Sequence, residues 1–328
     1  MTRLCIFGAG AIGGEIAARL ARSGDCAVSV VARGAHLEAI RTGGLRLIDG
    51  DDEFTVAVAA SDDPARLGPQ DYVIVATKAH DMAALVEPLQ PLLKADTALV
   101  FAQNGIPWWY FHGHGGALEN RRLESVDPGG VLWERLGPER ALGTVVWFAA
   151  VLVAPGVIRH AYGERLPVAE PRGEKTERVQ RLSHLLSRAG FKSPVKPDLR
   201  PEIWLKLWGN LSFNPVSVLT QGTLEQLAAD PHARAVIAAM MAEAQTVAEA
   251  LGIRFPVSIA ERIAMAARVG AHRTSMLEDV LAGRPTELEA LLGAVIELGK
   301  VTEHATSALK LVYDLARFRS RMAVGQTA

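Results

Sequence analysis

The feature that most constrains this chain is a glycine pattern close to its N-terminus. Six residues match GxGxxG: Gly8, Ala9, Gly10, Ala11, Ile12 and Gly13. The apolar run Leu4–Phe7 precedes the pattern, and Ile12, Ile16 and Leu20 follow it at helical spacing. In a strand–turn–helix unit, the first glycine permits a tight turn, the second lets the backbone approach a pyrophosphate, and the third lets the helix pack on the strand. This context predicts a dinucleotide site formed by these six residues.

Short apolar runs alternate with helical patterns over the first third of the chain. The runs 27–32, 72–77 and 98–102 are apolar almost throughout, which is typical of parallel strands covered on both faces. Residues 45–48 and 54–59 predict an inserted hairpin around Asp49-Gly50. The runs 145–153 and 156–160 are predicted strands that complete this domain, after an irregular segment, 107–138, expected to be a long loop with at most one short helix. The fold class is therefore α/β, with an N-terminal Rossmann-type parallel sheet.

The second part of the chain has only helical patterns, and we expect it to be all-helical. Predicted helices cover 201–219, 230–251, 256–269, 275–281 and 286–318. Asp230 followed by proline is a good helix start. The pairs Ser275/Glu278 and Thr286/Glu289 both match the capping box.

Length and composition set the remaining bounds. A chain of 328 residues favours two domains, which we place at 1–197 (NADP-binding) and 198–328 (substrate binding and dimerisation). The formal net charge of −1 gives no electrostatic footprint for nucleic acid. The two cysteines, Cys5 and Cys26, are too few for a disulfide scaffold and are expected to be buried apolar residues. Because the sequence has neither a signal peptide nor a stretch of transmembrane length, we expect a cytoplasmic protein.

The end of the second predicted strand bears on the choice of cofactor. NAD enzymes usually place Asp or Glu there for the ribose hydroxyls, whereas this chain has Arg33 and no acid. The charged, planar fork of arginine suits the 2′-phosphate of NADP. A solvated loop arginine is the alternative interpretation, and NADP is the prediction.

One helix of the second domain carries an unusual polar face. Lys206, Asn210 and Asn214 are four residues apart and share that face, which Ser217 and Gln221 would extend. The face holds amides, a hydroxyl and one cation but no acid, whereas solvated faces usually mix charges of both signs. It therefore resembles the lining of a cleft for an anionic, oxygenated molecule. An ordinary solvated face remains the alternative.

Five ordered motifs resemble those of the ketopantoate reductases (2-dehydropantoate 2-reductases). Besides the glycine pattern, Thr77-Lys78-Ala79 follows the third buried strand, and Gln103-Asn104-Gly105 resembles the family's Asn-Gly turn. The run from Glu202 to Pro215 resembles E-[IL]-W-x-K-L-x-x-N-x-x-x-N-P. The run from Thr274 to Asp279, with Thr286-Glu287-Leu288 beyond it, resembles S-S-M-L-x-D followed by T-E-I.

The resemblance implies an NADPH-dependent reduction of ketopantoate to pantoate, in pantothenate biosynthesis. Lys206 then corresponds to the lysine that protonates the carbonyl oxygen as hydride arrives. The substrate-holding residues correspond to Asn104, Asn210, Asn214 and Ser275. The cofactor-binding residues beyond the glycine loop correspond to Arg33 and Lys78, near the 2′-phosphate, to Asn104, at the junction of cofactor and substrate, and to Glu287, beside the nicotinamide ribose. Structural roles are also open for three of them: Ser275 as a helix cap, Asn104 as half of a turn pair, and Glu287 as a first-turn acid.

Three departures from the family pattern leave the substrate open. An insertion rich in aromatic residues, glycine and histidine follows Gly105, and we expect at least one of Trp108, Trp109 and Tyr110 to border the substrate. Residues 216–221 lack a further asparagine that some members use, and His304-Ala305-Thr306 replaces G-x-x-T-P. The alternatives are a reductase of another 2-oxo acid and, in a different class, a non-catalytic NADP-binding sensor. The expected partner is a small 2-oxo acid, with no nucleic acid, membrane or metal site; a homodimer is left open.

Overall fold

The computed structural model describes residues 1–78 and 82–325, and the chain divides into two compact units that are both discontinuous in sequence. The first unit comprises residues 1–103, 109–122 and 130–199, and the second comprises 104–108, 123–129 and the chain from Arg200 onward. The two short segments precede the boundary predicted at residues 197 and 198, yet they group with the second unit. Asn104 is therefore part of the second unit.

The first unit is built on a seven-stranded sheet. Its strands are β1 (Thr2–Phe7), β2 (Cys26–Val31), β5 (Ala59–Ser61), β6 (Tyr72–Val75), β7 (Ala98–Phe101), β8 (Ala141–Thr144) and β11 (Val168–Ala169), in the order β11-β8-β7-β6-β1-β2-β5. All neighbouring strands are parallel except β8 and β11. The strand order reverses at β1, which pairs with both β2 and β6. This topology confirms the predicted Rossmann-type α/β fold, and ligands of such sheets bind where the order reverses.

A second sheet of the same unit has the order β4-β3-β10-β9. Its strands are β3 (Leu45–Asp49), β4 (Asp52–Val56), β9 (Trp147–Ala154) and β10 (Val157–Arg165). The predicted hairpin is therefore present, but its second strand ends at Val56, and Ala59–Ser61 pairs with β2 in the large sheet. The two strands predicted from 145–153 and 156–160 also exist. They pair with the hairpin through β10 and β3, and are not part of the parallel sheet.

The helices of the first unit are mostly short. They are α1 (Ala11–Ser23), α2 (Gly34–Gly43), α3 (Val86–Leu89), α4 (Val131–Leu136) and α5 (Glu177–Arg188). Helix α1 ends where Gly24 adopts a left-handed conformation, as the Ser23-Gly24 pair predicts. Within 107–138, α4 is the one α-helix and 3₁₀ turns occupy part of the rest, which confirms the predicted irregular segment.

The second unit is helical, as predicted. It contains α6 (Arg200–Thr220), α7 (Leu224–Ala229), α8 (Pro231–Ala250), α9 (Ile259–Ala267), α10 (Ser275–Leu281), α11 (Ala294–Val301) and α12 (Ser307–Gly325), with a π-helical turn at Glu289–Gly293. The prediction of one helix over 286–318 is wrong. Glu303 adopts a left-handed conformation (φ 59°), and the His304 N–H donates to the Gly299 carbonyl over 2.8 Å, which ends α11.

Helix α6 lies at the centre of the second unit. Trp204 and Trp208 are fully buried, and the Trp208 indole N–H donates to the Met241 carbonyl of α8 over 2.8 Å. Because these large side chains fix the rotation of α6, they also fix the direction in which its polar face points.

Both cysteines are free and buried, and burial raises the pKa of Cys5 to about 12 and that of Cys26 to about 11. They therefore stay protonated at neutral pH, as expected of residues that act in packing. None of the helices in the described ranges combines the length and the hydropathy that a bilayer crossing needs.

Candidate active site

The glycine loop connects β1 to α1 and has the geometry of a phosphate cradle. Gly8 has φ +100°, and the N–H groups of Gly8 and Ala9 donate to the Val31 carbonyl over 3.1 and 3.2 Å. A Cβ on Gly13 would collide with the Gly8 carbonyl, so only glycine lets α1 begin this close to β1. A Cβ on Gly10 would meet no heavy atom within 4 Å. The loop is thus packed on its inner side and open beside the first turn of α1, where Ala11 and Ile12 lie and where the amides of a helix have no intrahelical partner.

His36 holds this loop in place, a role that no sequence motif predicts. The Gly156 N–H donates to Nδ1 of His36 over 2.9 Å, so Nδ1 is an acceptor and the proton of the neutral ring is on Nε2. That Nε2–H then donates to the Ala9 carbonyl over 2.6 Å. A side chain of α2 therefore connects the glycine loop to the turn between β9 and β10.

The two cationic residues predicted for the 2′-phosphate follow β2 and β6, the two strands that pair with β1. Arg33 is the N-cap residue of α2, directly after β2; it is exposed, and its side chain neither caps the helix nor pairs with a carboxylate of any described residue. Lys78 follows β6 and is partly exposed. Ala79, the third residue of that motif, lies outside the described residues. Because β1, β2 and β6 are parallel, both cations lie at the sheet edge that carries the glycine loop.

Helix α6 brings Lys206, Asn210 and Asn214 onto one continuous face, as predicted, and Pro215 does not interrupt the helix. Lys206 and Asn210 are partly buried, and Asn214 is 7% exposed. Neither asparagine amide forms a hydrogen bond with a described residue. These two amides therefore keep their donors and acceptors for a ligand.

The predicted extension of this face is only half right. The Ser217 hydroxyl is buried, donates to the Asn214 carbonyl and lies 2.6 Å from the Thr274 hydroxyl, so it connects α6 to α10. Gln221 follows the end of α6 with φ 60°, and the helical face has ended before it.

Asn104 and Glu287 are hydrogen-bonded, although 183 positions separate them: Nδ2 of Asn104 donates to Oε2 of Glu287 over 3.1 Å. The next two residues fix this contact. The Ile106 N–H donates to the Ala290 carbonyl over 3.0 Å, and Gly105 has φ +94° with its Cα so close to that carbonyl that a Cβ would collide with it. Ala290 belongs to the π-helical turn, a form of helix that is rare and often found at functional sites.

Lys206 and Glu287 interact electrostatically. Burial lowers the pKa of Lys206 from its usual range to about 8, and the negative charge of Glu287 opposes this shift. Asn104, Lys206 and Glu287 thus form one cluster, held by the 104–106 segment, α6 and the residues just before the π-helical turn. An ammonium with a pKa near neutrality can give up its proton during a reaction.

Ser275 lies at the start of α10 and is exposed, but it is not the helix cap. Thr274 is the N-cap, and its hydroxyl accepts from the Leu277 N–H over 3.2 Å. The predicted Ser275/Glu278 capping box is therefore wrong by one residue. Because Ser275 does not cap the helix, its hydroxyl is available for another role. The Thr286/Glu289 box is also wrong, because the N-cap position of the π-helical turn is Leu288 and no side chain caps it.

The aromatic residues of the insertion are buried. Trp108, Trp109 and Tyr110 are 4%, 2% and 0% exposed. In the first unit, the Trp109 ring packs against Gly143, and the Tyr110 ring lies edge-on to Phe111 with centroids 4.9 Å apart. Packing therefore accounts for two of these rings, and a ring at the substrate stays a prediction.

Comparisons with known proteins place these features in one family. The family model "Ketopantoate reductase PanE/ApbA" matches residues 4–173, and its C-terminal counterpart matches residues 198–320. A 2-dehydropantoate 2-reductase of Mesorhizobium japonicum is 50% identical over 315 residues, covering 96% of this chain and 97% of that protein. A crystal structure from Ralstonia solanacearum, described provisionally as a ketopantoate reductase, superposes with a TM-score of 0.92 at 39% identity over 98% of each chain. The structure of D-mandelate dehydrogenase with NADH and anilino(oxo)acetate shares the fold at 20% identity (TM-score 0.82, 98% and 99% covered).

Proposed function

The chain belongs to the ketopantoate reductase family, whose members are oxidoreductases that use a nicotinamide cofactor. From this membership we propose that it reduces ketopantoate (2-dehydropantoate) to pantoate with NADPH, in pantothenate biosynthesis. The single observation that carries the chemistry is the cluster of Lys206, Glu287 and Asn104. It combines a cation of lowered pKa with a fixed carboxylate and an oriented amide.

Hydride addition to the C2 carbonyl carbon leaves negative charge on the carbonyl oxygen, which must be stabilised and protonated. The Lys206 ammonium does both in this proposal: it attracts the developing charge and then donates its proton from Nζ. Burial lowers the pKa of Lys206, which makes its proton easier to donate. The negative charge of Glu287 opposes this shift, so that Lys206 is still protonated at neutral pH. Asn104 in turn restrains the carboxylate of Glu287 through its amide.

Three side chains are proposed to hold the substrate: the amides of Asn210 and Asn214, which bond to none of the described residues, and the exposed hydroxyl of Ser275. Asn210 and Asn214 lie one and two helical turns beyond Lys206 on the same face of α6. Ser275 belongs to α10, which is joined to α6 by the contact between the Ser217 and Thr274 hydroxyls.

The residues of the first unit fit NADPH. The open glycine loop, with Gly8, Ala9, Gly10, Ala11, Ile12 and Gly13, would hold the pyrophosphate, and Arg33 and Lys78 would pair with the 2′-phosphate. Bound NADPH supplies the hydride. The preference for NADPH rests on two features: the Arg33 guanidinium pairs with no carboxylate that the structure describes, and positions 32 to 34, directly after β2, hold no Asp or Glu.

A second candidate is the reduction of another 2-oxo acid by the same residues. It is favoured by the stretch 216–221, in which the polar face ends at Ser217 and no further asparagine follows. The lysine chemistry is common to both candidates, so only the substrate distinguishes them.

Steady-state turnover on a panel of 2-oxo acids tests the proposal. NADPH oxidation is followed at equal concentrations of ketopantoate and of aliphatic and aromatic 2-oxo acids, and pantoate is identified by mass spectrometry. We expect the highest kcat/KM for ketopantoate. A higher value for an aromatic acid would transfer the proposal to the second candidate, and no turnover on any of them would favour the NADP-binding sensor.

The homodimer also stays a proposal. Helix α12 exposes Leu311, Leu315, Phe318 and Met322 by 63%, 50%, 58% and 47%, at a spacing that places them in one stripe. A second copy of the chain would remove this stripe from water. Sedimentation equilibrium of the chain and of Leu315→Glu measures the assembly, and a wild-type monomer would end the proposal.

A further inference from the structure

Helix α6 has a glycine in its interior, and an arginine side chain fills the space beside it. Gly209 lies three residues after Lys206 and directly before Asn210. The guanidinium of Arg262, from α9, packs on Gly209 so closely that an added Cβ would lie 2.8 Å from its Cζ and would overlap one of its terminal nitrogens. Any residue other than glycine at this position would displace the guanidinium.

The side chain of Arg262 has no polar partner among residues 1–78 and 82–325. Among the described residues, none accepts a hydrogen bond from the Arg262 side chain and no carboxylate pairs with it. Burial lowers its pKa, and no charged group in the described part of the chain opposes that shift. A guanidinium nevertheless stays protonated in proteins and has five N–H donors to satisfy.

Such an arrangement is unfavourable for the free protein in two ways. Glycine in a helix interior costs about 1 kcal/mol relative to alanine. A partly desolvated cation without an acceptor adds a further cost, because its hydration is lost and not replaced. An anion from solution that supplies the missing acceptor would offset the second cost. The first cost is the consequence of leaving room for the guanidinium beside α6.

We infer that Arg262 binds the carboxylate of the 2-oxo acid substrate, an inference that rests on the proposed function. The guanidinium is placed beside the residue that precedes Asn210, next to the face that carries Lys206. Its planar fork matches a carboxylate in a bidentate manner. The two cations then contact different parts of the substrate. Lys206, whose charge is balanced by Glu287, contacts the carbonyl oxygen. Arg262, which no described carboxylate balances, contacts the substrate carboxylate.

Two substitutions test this assignment by different routes. Arg262→Gln removes the charge, and Gly209→Ala keeps the charge but displaces it with a single methyl group. Arg268→Gln is the matched control, because Arg268 follows the same helix α9 and is exposed. Each variant is compared with wild type on ketopantoate and on its uncharged lactone at saturating NADPH, and thermal melting checks the fold.

We expect both variants to raise KM for ketopantoate by about 10- to 100-fold, the usual effect of losing a hydrogen bond to a charged group, with little change in kcat. KM for the lactone, which has no carboxylate, should not change. Gly209→Ala should also melt no lower than wild type, since alanine favours the helix. Equal losses on acid and lactone, or no loss in either variant, would overturn the inference.

Calorimetric titration of ketopantoate into the NADP⁺-loaded protein separates this inference from the proposed function, because binding is measured without turnover. Carboxylate binding that is lost in Arg262→Gln supports the inference even in a wild-type protein that fails to reduce the acid. Turnover in the wild type together with equal binding in both proteins would leave the proposed function standing and remove Arg262 from it. A wild-type protein that binds no 2-oxo acid would overturn both.

Discussion

The amide of Asn104 donates to the carboxylate of Glu287 over 3.1 Å, and this one hydrogen bond joins the segment after β7 to the residues just before the π-helical turn. Glu287 is also the charge that raises the pKa of Lys206 against the effect of burial. A residue of the 104–106 segment thus sets the position of the carboxylate that controls the proposed proton donor.

Lys206→Ala should fold normally, because the buried apolar faces of α6 remain, and it should still bind NADPH through the glycine loop and Arg33. Its turnover should fall by a factor on the order of 10² or more, as expected for the loss of a general acid. Single-turnover kinetics with preloaded NADPH measures the chemical step directly. A folded variant with near-normal turnover would show that another group protonates the oxygen.

The wild-type kcat/KM should decline as the pH rises above about 8, the pKa of Lys206. The sign follows from the role: a general acid is active when protonated, and Lys206 loses its proton above its pKa. A pH profile between 6 and 10, with NADPH saturating, measures this limb. A profile that is flat through pH 9 would contradict the assignment.

Glu287→Gln should move that alkaline limb to lower pH, because the carboxylate charge raises the pKa of Lys206 and the amide has no charge. Activity should therefore fall more at pH 8.5 than at pH 6.5. Glu278→Gln serves as the control, since Glu278 is an exposed carboxylate of the nearby helix α10 and should leave the limb in place. An equal loss of activity at all pH values would indicate a structural role for Glu287.

Gly105→Ala should reduce both activity and stability. The added Cβ would force a φ of +94° on alanine and would collide with the Ala290 carbonyl, so residues 104–106 would have to move away from the π-helical turn. Gly252→Ala is the matched control, because Gly252 also has a positive φ (82°) but open space around its Cα, and it should cost about 1 to 2 kcal/mol without loss of kcat. Chemical denaturation and turnover together distinguish the two variants.

Arg33→Ala and His36→Ala should weaken cofactor binding in different ways. Loss of Arg33 should weaken NADPH by about 10- to 100-fold and leave NADH nearly unchanged, because only NADPH carries the 2′-phosphate. Loss of His36 should weaken both cofactors by a similar factor, since it releases the Ala9 carbonyl and the glycine loop. Fluorescence titration with each cofactor measures both effects. Equal losses for the two cofactors in Arg33→Ala would refute the NADPH preference.

The sequence alone determined the elements whose signals are local. The glycine loop, the apolar strands and the helix bearing Lys206, Asn210 and Asn214 were all predictable, because a turn, a buried strand and an amphipathic helix are specified by neighbouring residues. The motifs likewise identified the family from residues that lie close together in the chain.

The tertiary structure decided what depends on residues far apart in sequence. Thr274 replaced Ser275 as the helix cap, where its hydroxyl also meets that of Ser217 from α6. The pairing of Asn104 with Glu287 and the packing of Arg262 on Gly209 have no local signal at all. Helix propensity and spacing act over a few residues, whereas the position of a carboxylate beside an ammonium is set by how whole helices pack, and that packing is what turned these residues into a site.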